Sequence, residues 1–111
     1  MRIRNLTPHQ ITIVTLAGIT ILKPSGDVAR VENGDVEIVA SANGIPIVRQ
    51  TLGEVIGLPG PERDTLYVVS LIVATHCGGR GDVVSPGTGP AHAPLRDADG
   101  RITAVRCLVA A

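Results

Sequence analysis

Aromatic side chains are almost absent from this chain of 111 residues: Tyr67 stands alone, with no Phe and no Trp. Sequence-tolerant recognition of single strands normally stacks bases on several rings, so that function class is set aside. Charge of one sign is lacking too. Ten Lys and Arg balance ten Asp and Glu, which leaves neither a basic footprint for DNA or RNA nor an acidic tail. The two cysteines, Cys77 and Cys107, are too few for a disulfide scaffold, and free thiols in a reducing cytoplasm are expected. No stretch approaches the ~18 apolar residues of a membrane span. The longest, Leu66 to Ala74, is broken by Ser70, and Asn5, Thr7, Pro8, His9 and Gln10 interrupt the beginning, where a signal segment would have its apolar run.

What is present is aliphatic. Hydrophobic residues make up 44% of the chain, too many for disorder, and the length suits one domain spanning residues 1–111. Without rings the core is built from Val, Ile, Leu and Ala, each giving roughly 1.5–3 kcal/mol or less on full burial. A domain of this size hides only about 60–70% of the surface its unfolded chain exposes. Such a core is marginal alone, so a homo-oligomer is expected.

The first half reads as strands. Ile11 and Ile13, then Ile19 and Ile21, alternate with Thr12, Val14 and Thr20 around Leu16-Ala17-Gly18, the period-2 pattern of a hairpin. Pro24 to Asp27 marks a turn before Val28 to Glu32, and Asn33-Gly34-Asp35 is a second turn signal. Val36 to Ser41 and Ile45 to Thr51 flank Asn43-Gly44, the pair best suited to positive φ in a tight hairpin turn. Leu52 to Pro61 holds three glycines and two prolines and is extended or looping, with Pro59-Gly60-Pro61 changing the chain direction.

In the second half Thr65 to Val69 is a β-branched run and a central strand. Ser70 caps a brief helix from Leu71 to His76, which Gly78-Gly79 ends. Asp82 to Val84 resumes a strand, Ser85 to Pro94 is a Pro/Gly loop, and Asp97 to Gly100 turns into a last strand, Arg101 to Val109. The sum is an α+β class: an antiparallel-rich β-sheet domain with one short helix.

Three polar clusters can carry chemistry. In Asn5-Leu6-Thr7-Pro8-His9, Asn5 and Thr7 can hold polar ligand edges while His9 donates to a phosphate or hydroxyl; alternatively Asn5 or Thr7 bonds the backbone of a turn in which Pro8 fixes φ. In His76 to Asp82, the small residues let backbone N–H groups approach an anion, with Arg80 as a bidentate fork and Asp82 accepting from ribose hydroxyls; alternatively Arg80 and Asp82 form a surface ion pair behind a helix-ending glycine. Ser85 to Pro90 is a phosphate-compatible loop without the Gly-Lys-Ser/Thr ending of a P-loop, in which Gly87, Thr88 and Gly89 either close over a ligand or form a mobile surface loop. Arg-Gly-Asp at residues 80–82 also spells an integrin motif, read here as a chance match.

Catalysis has little support. Ser70, Ser85 and Cys77 lack a nucleophile elbow, His9, His76 and His92 are scattered, and no Cys-x-x-Cys or His-x-x-x-His spacing offers three metal ligands. No catalytic residue, metal or cofactor is assigned.

Taken together, Asn5-Leu6-Thr7-Pro8-His9, Gly53 to Pro59, Tyr67-Val68-Val69-Ser70 and Arg80-Gly81-Asp82 make the chain resemble, over nearly its whole length, a family of small proteins of actinobacterial phages and prophages. In size and β character that family is similar to phage anti-defence sponges, oligomers that capture cyclic nucleotide immune signals without cleaving them. The resemblance implies a protein of the host-cell cytoplasm that binds a small nucleotide and neither nucleic acid nor membrane. On this reading Asn5, Thr7 and His9 meet polar edges, Arg49 and Arg80 hold phosphate, Asp82 takes ribose hydroxyls, and Gly87, Thr88 and Gly89 close the site. A phage structural or protein-interaction module, or a nucleotide phosphoesterase, is the alternative.

Overall fold

A computed structural model describes residues 1–111. Its strands are β1 (Arg2–Asn5), β2 (Ile11–Thr15), β3 (Gly18–Leu22), β4 (Arg30–Ala42), β5 (Ile45–Ile56), β6 (Thr65–Val68), β7 (Val83–Pro86), β8 (Leu95–Arg96), β9 (Ile102–Ala104) and β10 (Leu108–Ala110). One short helix, α1 (Leu71–Thr75), follows β6, and a single 3-10 turn covers Pro90–His92. No helix is long and apolar enough to cross a membrane.

The central sheet has the order β1-β6-β7-β10, with β1, β6 and β7 mutually parallel and β10 antiparallel to β7. The remaining sheets, β2-β3, β4-β5 and β8-β9, are antiparallel pairs. The chain is therefore strand-rich and mostly antiparallel, as its turn signals imply, around a parallel trio that they do not reveal. Parallel pairs need a crossover rather than a tight turn. Here the β1–β6 crossover consists of the two hairpins, and β6–β7 is crossed by α1.

Period-2 alternation sorts the core into two layers on either side of this sheet. Tyr67, Val69 and Val83 pack with Leu6, Ala29, Val73, Ala74 and Cys77 on the helix side. Val68 and Val84 pack with Ile11, Ile13 and Val105 on the other. The lone ring sits at the centre, fully buried, and its hydroxyl donates to the Gly60 carbonyl at 3.2 Å. Arg4 lies over its face, 5.9 Å from the centroid.

Helix α1 forms as its punctuation implies. Ser70 accepts from the Val73 N–H at 3.4 Å, and His76 closes the far end with its Nδ1 2.8 Å from the Ile72 carbonyl. The β2-β3 hairpin turns at Leu16-Ala17, and Asn43 and Gly44 take φ of 51° and 79°, the positive pair of a two-residue hairpin turn.

Two elements depart from the expected pattern. Asn33-Gly34-Asp35 is not a turn: β4 runs through it with a bulge between Asn33 and Val36, because a β-carbon on Gly34 would strike the Thr51 backbone and glycine alone permits that approach. The segment after Leu52 is extended, as expected, within β5 to Ile56. The last strand is broken in two, since Val105 leaves β9 to exchange hydrogen bonds with Thr12 and Val14 of β2.

The result is a body with a projecting arm. Strands β4 and β5, of 13 and 12 residues, contain no fully buried side chain. Only Val31 and Val55 near the arm's base, with Leu58 beyond it, pack on the core. The radius of gyration is 16.7 Å, against about 13–14 Å for a compact domain of this length.

Candidate functional site

Parallel strands end on one side of a sheet, and the loops leaving those ends form a crevice by construction. Here the carboxyl ends of β1, β6 and β7 release Leu6-Thr7-Pro8-His9, Val69-Ser70-Leu71 and Gly87-Thr88. Between these loops lies an open cleft of about 560 Å³, lined by residues 7–12, Ser70, Leu71, Pro86, Thr88 and residues 102–105. Its volume falls within the ordinary range for small-molecule sites. The walls are aliphatic or proline, with hydroxyls from Thr7, Thr12, Ser70, Thr88 and Thr103, the Gln10 amide and the His9 ring. No Lys, Arg, Asp or Glu lines it.

The first cluster builds the floor of the cleft rather than reading a ligand throughout. Asn5 is 2% exposed and its side chain is fully engaged: Nδ2 donates to the His9 carbonyl at 2.8 Å and to the Leu22 carbonyl at 3.0 Å. Oδ1 accepts from the Thr7 N–H at 3.0 Å and from the Thr7 hydroxyl at 2.6 Å. The turn reading of this cluster therefore holds for Asn5 and for Thr7, which is buried and whose hydroxyl also lies 3.0 Å from the His9 carbonyl; the Asn5 amide fixes the 5–9 loop against β3. His9 is exposed at the rim, in reach of a ligand.

Arg80 and Asp82 take their other reading as well. Nε and Nη2 of Arg80 donate to the Asp82 carboxylate at 2.8 and 2.7 Å, and Nη2 also reaches the Pro59 carbonyl at 3.2 Å. The fork is spent on a structural pair that ties the loop after α1 to the 57–61 bend. Its hydrogen bonds hold the Asp82 carboxyl below its ordinary pKa, against the opposing effect of burial, and raise that of the guanidinium. Burial pushes the pKa of the neighbouring Cys77 thiol up, with Arg80 pulling the other way and Asp82 adding to the rise. Both charged residues precede β7, whereas the cleft lies past its far end.

Arg49 lies on the arm, directly opposite Glu37. Six extended residues separate it from Ile56 at the arm's base, roughly 23 Å of strand. The structure thus brings together Thr7, His9 and Thr88 in the cleft, with Asn5 beneath them, and places Arg80 with Asp82, and Arg49, at two other locations.

The 85–90 loop is tied down rather than free. The Gly87 N–H donates to the Cys107 carbonyl at 2.9 Å, Thr88 N–H to Pro86 at 2.9 Å, and His92 N–H to Gly89 at 3.0 Å. A β-carbon on Gly87 would sit 2.6 Å from the Cys107 sulfur, so glycine is needed for that close approach. Gly89 flanks Thr88 without lining the cleft.

Sequence reasoning missed Ser70, Leu71, Pro86 and the 102–105 wall. The available signal was positional: Thr7, Ser70 and Thr88 each stand two residues past the end of a short strand, the pattern of parallel strand ends. Comparison with family models, with curated proteins and with solved structures finds no match to this chain.

Proposed function

We propose that this chain is a binding protein for a small cyclic nucleotide, which it sequesters without cleaving, and that the strand-end cleft receives the nucleoside portion. The observation that carries the reading is the cleft itself: about 560 Å³ at the carboxyl ends of three parallel strands, with hydroxyls and one imidazole set in apolar walls. Pro8, Leu71 and Pro86 offer flat aliphatic faces to a base in place of aromatic rings. Ser70 and Thr88 suit ribose hydroxyls, and His9 suits a phosphate oxygen at the rim. The resemblance to small phage and prophage proteins supplies the setting, an anti-defence role in the host-cell cytoplasm.

In this reading Arg80 and Asp82 hold the fold and leave the ligand to His9 and Thr88. Calorimetry of the full chain against a panel of cyclic dinucleotides and cyclic ADP-ribose isomers tests it. One panel member is expected to bind. His9→Ala or Thr88→Ala weakens that binding by about tenfold, ~1.4 kcal/mol, and denaturation returns the ligand intact. Absence of binding across the panel, or appearance of a hydrolysis product, overturns the proposal. The exposed arm favours a second reading, a protein-interaction module, for which the same panel gives no heat.

A further inference from the structure

The arm formed by β4 and β5 is the least supported part of the molecule. A two-stranded ribbon is marginal in water unless a third element covers it, and neither strand buries a single side chain completely. Eleven consecutive residues, Ile38 to Val48, carry no charge.

The register separates the two faces. Val36 pairs with Gln50, Ile38 with Val48 and Ser41 with Pro46 on one face, while Glu37 pairs with Arg49 on the other. Along β5 the first face continues to Leu52. Val36, Ile38, Val48 and Leu52 on this face are 60%, 71%, 51% and 40% exposed. The charged rung points away from it.

The edges are poorly suited to strand addition. Pro46 offers no N–H on β5, and β4 is bulged between Ile38 and Ala40. What the arm presents for docking is therefore a face.

We infer that the arm is a self-association device: the Val36/Ile38/Val48/Leu52 face packs on the same face of a second copy of this chain, the two arms antiparallel about a two-fold axis. A charge-free face meets itself with no like-charge contact, and the ten-to-ten balance of basic and acidic residues leaves no net repulsion between copies.

The arms alone supply about half of a standard interface even when they overlap fully. A ribbon of this length is roughly 40 Å by 10 Å, about 400 Å² per face, and a standard interface takes ~800 Å² from each partner. Antiparallel overlap adds to this by carrying each arm's tip towards the partner's α1. That helix lies against the base of β4 and leaves Ile72, which is outside the cleft, 52% exposed. The inference is independent of what the cleft binds.

Light scattering on the full chain at about 10 μM, above a ~1 μM dissociation constant, reads the outcome. The expected mass is twice the 11.5 kDa of one chain, or a higher even multiple. Ile38→Lys and Val48→Lys each weaken association by at least tenfold. Glu37→Lys, which adds the same side chain on the opposite face, leaves it unchanged. The near-UV circular dichroism of Tyr67, the one ring and buried in the body, reports that each variant is folded. Three results overturn the inference: a wild-type chain that stays at 11.5 kDa, which assigns the arm to a foreign protein; a mass that Ile38→Lys and Val48→Lys leave unaltered; or equal disruption by Glu37→Lys.

Discussion

Two residues chosen for their polar chemistry turn out to act through the fold. Asn5 satisfies four partners at once, two of them backbone carbonyls in different segments. Asn5→Ala leaves those groups without their partner in a place where water enters poorly, at about 2–4 kcal/mol. Chemical denaturation should show that loss as a lower midpoint with an unchanged slope, whereas a purely ligand-reading Asn5 would leave the midpoint in place. Asp82 makes a second case. Its hydrogen bonds from Arg80 depress the folded-state pKa below the unfolded one. The pair's contribution is then full above the ordinary carboxylate range and is lost as pH falls through the depressed folded value. Asp82→Asn is expected to lower stability at neutral pH and to flatten the acid side of the stability–pH curve, both read by thermal melts from pH 7 to about pH 2. A variant with the wild-type acid slope would show that the pair is energetically silent.

Among the elements, those specified by local chemistry were legible and those specified by long-range pairing were not. Asn43-Gly44 declares its turn because two successive residues must take positive φ. Ser70 declares α1 because a hydroxyl there satisfies an otherwise free N–H. Gly34 misleads for an equally physical reason: glycine serves a tight turn and a close strand approach alike, and only the position of Thr51 decides between them. The parallel trio has no local marker, since β1 meets β6 from about 60 residues away in sequence. The cleft follows from that trio. Thr7, His9 and Thr88 were thus recognisable as polar groups, but their convergence was not, and Arg49 and Arg80 drew attention by charge alone.

For the whole molecule, the aliphatic composition and the long arm lead to one expectation. With 19 of 111 residues buried in the isolated chain, the body offers a small core, and on the self-association inferred above an arm shared between copies adds burial. Stability then depends on concentration, because association favours the folded over the unfolded chain by mass action. Raising the chain concentration a hundredfold is expected to lift the melting midpoint by about 5 °C, from the ~1.4 kcal/mol per chain gained in a dimer and the entropy of unfolding a domain of this size. Ile38→Lys removes the dependence and melts at the low-concentration value throughout, while Glu37→Lys keeps the wild-type slope. Coincident wild-type melts at all concentrations would mean that the arm adds nothing to stability through self-association, and that the body's two-layer core around β6 and β7 carries the fold unaided.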